Sequence, residues 1–145
     1  TDFIVVSEKA KMALTEVLIG LTPAQIAPYI IQRVGLQKTR QLMFLAKIIK
    51  GHEAFNMGLA DYLSCDDKEM ESQIETIKKC VLMAGPNALN ATKKIIEAVR
   101  VNDQEKIIPF AADLFADCLV SKEGLEGYSS FLEKRRPHWV KGIKS

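Results

Sequence analysis

The alternation of apolar and polar positions changes character once along this chain. Residues 3–7 form an unbroken, β-branched run, Phe3-Ile4-Val5-Val6-Ser7, which predicts a short and fully buried strand; residues 11–14 predict a second. Beyond residue 22 the spacing is helical. Pro23 suits a first helical position after Thr22, so residues 24–34 predict an apolar helix with Pro28 in its first turns and Gly35 as its stop. Residues 36–47 set Leu42, Leu45 and Ala46 against Lys38, Arg40 and Gln41, the pattern of an amphipathic helix. A short helix over residues 52–57 ends at Gly58, and an extended piece follows over residues 59–63. Asp66-Asp67 opens a long helix with an acidic first turn and, as the helix dipole favours, Lys78 and Lys79 in its predicted last turn. Gly85-Pro86 breaks that helix and starts another through Arg100, and Asn102-Asp103 turns the chain. Residues 105–120 carry Ile107, Phe110, Leu114 and Phe115 at helical spacing, and a last helix spans residues 122–134 before the basic tail Arg135-Arg136-Pro137-His138-Trp139. The expected fold is therefore mainly α with a short β-rich N-terminal region, without repeats or low-complexity segments.

Composition narrows the class. At 145 residues and 16.2 kDa, 48% hydrophobic and 26% charged, with a mean hydropathy of +0.01, the chain has globular proportions. Those proportions predict a core that removes about 70% of the unfolded surface without help from a disulfide or metal. Twenty basic residues against eighteen acidic ones leave +2, too little and too scattered for a nucleic-acid footprint. The apolar runs at residues 17–21 and 26–31 stop far short of the ~20 residues of a membrane span. Cys65, Cys80 and Cys118 are odd in number and form no CxxC pair, which predicts buried or free thiols in a reducing compartment, the cytoplasm or an organelle matrix. The chain opens at Thr1 and enters an apolar run at once, with neither the basic segment nor the cleavage site of a signal peptide. Thr1 is accordingly expected to be a cut inside a longer protein.

Residues 10–29, AKMALTEVLIGLTPAQIAPY, are the most informative for chemistry. Glu16 sits between apolar runs and is followed closely by Gly20, Pro23 and a helix start. Partial desolvation raises a carboxyl pKa toward neutrality, which suits a general acid or base, and N–H groups at a helix start beginning with Ala24 would hold a water or oxyanion beside it. Spacing alone fits a strand-end or capping glutamate better. His52 and His138 show no partner at ligand or triad spacing and read as solvated side chains, and no metal site is expected. Lys134, Arg135 and Arg136 fit a solvated helix end, Phe131 and Trp139 fit packing residues, and the three cysteines have no basic neighbour that would activate them.

Four pieces in order resemble the enoyl-CoA hydratase/isomerase (crotonase) superfamily. Thr1-Asp2-Phe3-Ile4, Glu8-Lys9-Ala10-Lys11-Met12 and residues 15–23 (TEVLIGLTP) are similar to that family's strand, its E-x-A-x-F segment and its Glu followed by a G-x-x-P turn. Ala54-Phe55-Asn56-Met57-Gly58-Leu59 resembles its A-x-x-x-G-L-V, Gly85-Pro86 its next helix start, and residues 124–139 (GLEGYSSFLEKRRPHW) its closing EG-x-x-A-F-x-E-K-R-x-P-x-F/W. Each motif is weak alone; their order is specific and covers essentially the whole chain.

The resemblance implies the C-terminal half of a crotonase-like α/β fold (a ββα superhelix). Residues 1–22 would supply the last core strand and active-site loop, and residues 23–145 a helical region that completes the acyl pocket and trimerises. It places Glu16 on the second of two catalytic glutamates and Ala24 on a position, usually Gly, whose N–H helps hold water. It places Phe131 and Lys134 on residues that reach the coenzyme A of a neighbouring subunit. The first glutamate and a Gly-rich oxyanion loop would precede Thr1. Two departures stand out: Ala24-Gln25-Ile26-Ala27-Pro28 replaces G-x-G-G, and Ala46-Lys47 replaces T-G. The PAQIAPY form resembles hydratases of branched or isoprenoid-derived acyl-CoAs. The implied activity is hydration of a 2-enoyl-CoA by a homotrimer or dimer of trimers, with coenzyme A as part of the substrate and no permanently bound cofactor. The alternatives are an isomerase of the same superfamily and a non-catalytic helical oligomerisation module.

Overall fold

A computed structural model describes residues 1–100 and 103–141. The element order is β1 (Val5–Ser7), β2 (Lys11–Met12), a 3-10 turn (Glu16–Ile19), α1 (Ala27–Leu45), β3 (Ile49–Lys50), α2 (Gly51–Asn56), β4 (Tyr62–Ser64), α3 (Asp67–Met83), α4 (Pro86–Val99), α5 (Gln104–Val120) and α6 (Lys122–Leu132). The chain divides into two compact units, Thr1–Thr76 and Ile77–Ser145.

In the first unit the β-branched run forms β1, which pairs in parallel with β4 in the register Val5↔Tyr62, Val6↔Leu63, Ser7↔Ser64. Parallel strands need a long crossover, and α1 and α2 lie within it. β2 pairs antiparallel with β3, Met12 facing Ile49. Gly51 makes the junction possible. A Cβ at this position would stand 2.0 Å from the Ser7 carbonyl oxygen, so a hydrogen side chain is what lets α2 start against the turn after β1. The core centres on Leu42, Ile49 and Ala54, with Met12, Leu14, Ile30 and Val34 packed against it.

Several predicted bounds move. The helix after Pro23 starts at Ala27, with Pro28 in its first turn, because residues 24–26 form a turn instead. Gly35 leaves helical geometry (φ 74°, ψ 170°) and, as predicted, parts the run into two helical pieces across a kink; the Thr39 hydroxyl donates to its carbonyl at 2.8 Å. α3 runs on to Met83, so Lys78 and Lys79 fall short of its last turn. α6 ends at Leu132, which leaves Lys134 outside it. The predicted turn residue Asn102 lies outside the described residues.

The predicted core is smaller than composition suggests. Among the described residues of the second unit, only Ser130 is fully buried, whereas Phe115, Val120, Leu125, Tyr128 and Phe131 are exposed. The chain's accessible surface, 10829 Å², exceeds the ~7,500 Å² expected of a monomer of this mass and even the ~9,000 Å² of two separate small globules. Apolar helix spacing reports which residues are hydrophobic; it does not say that their covering surface lies within the same chain.

Candidate active site

Glu16 is the first residue of the 3-10 turn, entered from β2 through Leu14, which is anchored on the core. The turn is closed behind it: the Glu16 carbonyl accepts the Leu21 N–H at 3.0 Å, and Gly20, at φ 76°, donates to the Val17 carbonyl at 3.3 Å. Only a residue indifferent to left-handed backbone closes such a turn without strain. Glu16 Oε2 is enclosed by protein and has no hydrogen-bond partner. Burying an acceptor without a donor costs about 1–3 kcal/mol, and native chains hold such atoms sparingly; Gln73 Oε1 is the other among the described residues.

Residues before and after this turn, though not Glu16 itself, line a largely apolar cavity of about 340 Å³: Lys11, Met12, Ala13 and Leu14 on one side of it in sequence, Ile26, Ile30 and Leu42 on the other. The first piece of α1 is fixed to the strands by a knot that the sequence did not reveal. Arg33 Nε donates to the Leu59 carbonyl at 2.8 Å, its Nη2 pairs with the Asp61 carboxylate, and that carboxylate accepts the Ile4 N–H at 2.7 Å. These bonds hold Ile30, one helical turn before Arg33, over the cavity.

Ala24 is exposed, and its N–H donates to the Thr22 carbonyl at 2.8 Å. A role for that N–H in holding water requires it to leave Thr22. Phe131 and Lys134 lie in the second unit, at the end of α6, with Phe131 79% exposed.

Neither histidine stands alone. His52 Nε2 lies 3.5 Å from Glu8 Oε2, and His138 Nδ1 lies 3.3 Å from Glu126 Oε1. Glu126 went unnoticed in the sequence and organises the tail after α6. Arg135 grips it with Nη1–Oε1 at 2.6 Å and Nη2–Oε2 at 2.9 Å, and the His138 N–H donates to it at 2.9 Å. The Arg135 guanidinium holds the Glu126 carboxyl at about 2, below the usual carboxylate range. The Trp139 indole N–H reaches the Met83 carbonyl at 3.2 Å, so Trp139 fastens the tail as well as packing. The cysteines are free, with Cys65 and Cys80 exposed and Cys118 half-buried. Among the described residues no group of three metal-binding side chains converges, and no helix is long and apolar enough to cross a membrane.

Residues 1–142 match the family model for enoyl-CoA hydratase/isomerase, and the chain belongs to that family. It is 28% identical to a crotonyl-CoA hydratase of Syntrophomonas wolfei, the match covering 96% of this chain and 54% of the relative. A short-chain-enoyl-CoA hydratase of Clostridioides difficile is 31% identical over 90% of this chain and 84% of its own length. Among solved structures, Pseudomonas aeruginosa AtuE superposes with a TM-score of 0.94 at 32% identity, covering 97% of this chain and 55% of AtuE. The chain thus has the crotonase-type fold over the shared stretch and spans about half the length of the Syntrophomonas enzyme and of AtuE.

Proposed function

We propose that this chain carries the Glu16 part of an acyl-CoA hydratase that adds water to a 2-enoyl-CoA thioester. The observation that supports this reading is the enclosed, unpartnered Oε2 of Glu16 on a clamped turn, with residues before and after that turn lining a largely apolar cavity. In hydration the carbon–carbon π bond breaks, a C–O bond to the water oxygen forms at one carbon and a C–H bond at the other. Charge gathers transiently on the thioester oxygen. Glu16 passes the proton at one carbon while a second glutamate, supplied from outside these residues, handles the water. Backbone N–H donors, also from outside, steady the enolate-like oxygen. The cavity takes the acyl chain, the Ala24 N–H, once released from Thr22, helps hold the water, and Phe131 with Lys134 meets the coenzyme A of a neighbouring copy. In this division of labour residues 1–22 deliver the acid/base group and residues 23–145 the pocket wall and assembly surface.

One carboxylate shuttling a single proton would instead move a double bond, so the isomerase reading shares the same residue. Product analysis with the full reading frame that encodes this chain separates the two. A 3-hydroxyacyl product from a 2-enoyl-CoA supports the hydratase; conversion of a 3-enoyl-CoA to the 2-enoyl isomer without hydration overturns it.

The reading also includes assembly as a homotrimer or dimer of trimers. It is supported by the exposed Phe115, Leu119 and Val120 of α5 and Leu125, Tyr128 and Phe131 of α6, a larger apolar face than a lone chain keeps in water. Light scattering on the same full-length product is expected to give a multiple of the monomer mass, and a monodisperse monomer would count against the assembly.

A further inference from the structure

The end of α6 has a backbone that its own sequence opposes. Arg135 donates its N–H to the Ser130 carbonyl at 3.0 Å and Lys134 donates to the Phe131 carbonyl at 3.2 Å, the paired bonds of a Schellman cap. The left-handed residue of that cap is usually glycine. Here it is Lys134, at φ 54°, against the steric preference of any L side chain. Strain of this kind persists where surrounding contacts impose it.

The contacts that impose it converge on Glu126. Both of its oxygens are taken by the Arg135 fork, Oε1 also accepts the His138 N–H, and Arg135 Nε is braced by Glu133 Oε2 at 2.6 Å. Arg135 is the residue next to Lys134, so pinning its side chain to Glu126, within α6, sets the direction in which the chain leaves the helix. The result is a fixed pair at the helix end: an ammonium on the left-handed turn and, three residues earlier, a phenyl ring 79% exposed. A ring stacks on a planar base and an ammonium attracts phosphate, so together they fit a phosphorylated nucleotide.

We propose that Glu126 is a positioning residue for the nucleotide end of the thioester, holding Lys134 in its left-handed turn so that Lys134 and Phe131 stand preformed to receive the phosphorylated adenosine of coenzyme A. This rests on the reading of Phe131 and Lys134 in the preceding section. Preformation matters because an unpinned lysine at a frayed helix end gives up its rotamer and backbone freedom on binding.

The test compares two substrates of the full reading frame: a short 2-enoyl-CoA, and the same acyl group on pantetheine, which lacks the nucleotide. Glu126→Gln is expected to raise KM for the CoA thioester about tenfold with kcat changed less than twofold, and to change kcat/KM for the pantetheine thioester less than twofold. Lys134→Gly is expected to raise Tm, by relieving the strained φ, while it too raises KM for the CoA thioester. A merely structural residue does not combine higher stability with weaker binding. Should Glu126→Gln fail to fold, Arg135→Lys, which keeps the charge and loses the fork, is expected to show the same substrate-selective rise in KM. Parallel losses on both thioesters, or no change on either, would overturn the role of Glu126. A wild-type protein that handles the two thioesters equally well overturns the reading of Phe131 and Lys134, and this inference with it.

Discussion

Glu16→Gln, made in the full reading frame, is expected to lower turnover by about 10²–10⁴-fold while leaving affinity for the acyl-CoA ester nearly unchanged. General acid–base catalysis contributes factors of that size, and glutamine keeps the shape of glutamate while removing its exchangeable proton. The structure adds a condition that makes the result readable. Glu16 Oε2 is enclosed without a hydrogen-bond partner to lose, and glutamine fills nearly the same space. The variant should therefore melt close to the wild type. Lost turnover without lost stability identifies a group used in the reaction. Wild-type turnover in Glu16→Gln would end the acid/base assignment, and a matched fall in Tm and turnover would assign Glu16 to the fold.

Much of the local structure was legible because it depends on neighbours in sequence. The β-branched run at residues 3–7 contains β1, Gly85-Pro86 separates α3 from α4, and the acidic pair Asp66-Asp67 opens α3 as the dipole argument requires. What escaped depends on residues far apart. Nothing near Asp61 in sequence says that it will gather Arg33 and the Ile4 N–H, and nothing near Arg135 marks Glu126 as its partner, although the Glu126-Gly127 pair stood in the closing motif. The stop at Gly35, by contrast, is local: glycine tolerates the left-handed backbone (φ 74°) that parts the two helical pieces. The size of the core escaped for a different reason. Period and composition count hydrophobic residues, and α5 and α6 have them in number, but their exposure is fixed by what covers them.

The family resemblance drew its strength from the same long-range order. Glu16 alone is a glutamate between apolar runs, more at home as a cap, and the structure does place it in the first turn of the 3-10 segment. Its unpartnered oxygen tells against the cap, since a capping carboxylate spends its oxygens on backbone N–H groups. Glu123 does this in the second unit, accepting the Asn87 and Ala88 N–H groups at 3.1 and 2.9 Å. Glu16 Oε2 accepts none, which keeps it open to a proton in transit.

The 145-residue chain by itself is expected to be catalytically silent. Hydration needs a preorganised pair of N–H donors at the thioester oxygen, a positioned water and two proton-handling groups. Around Glu16 several N–H groups are already committed: Leu18 donates to Thr15, Leu21 to Glu16, Ala24 to Thr22 and Ala27 to Pro23, at 2.8–3.0 Å. Loss of one oxyanion donor costs about 10²–10³ in rate, and lacking both together with a second carboxylate costs far more. The chain alone should also self-associate, since Leu18, Ile19, Leu21 and Tyr29 around the site are exposed along with the faces of α5 and α6. The assay follows the conjugated thioester absorbance of a short 2-enoyl-CoA with the chain alone and with the full reading frame. Background rates from the first and turnover from the second are expected. Hydration above background by the chain alone would mean that these residues hold a complete site, and that the oxyanion donors and second proton carrier must be sought within them.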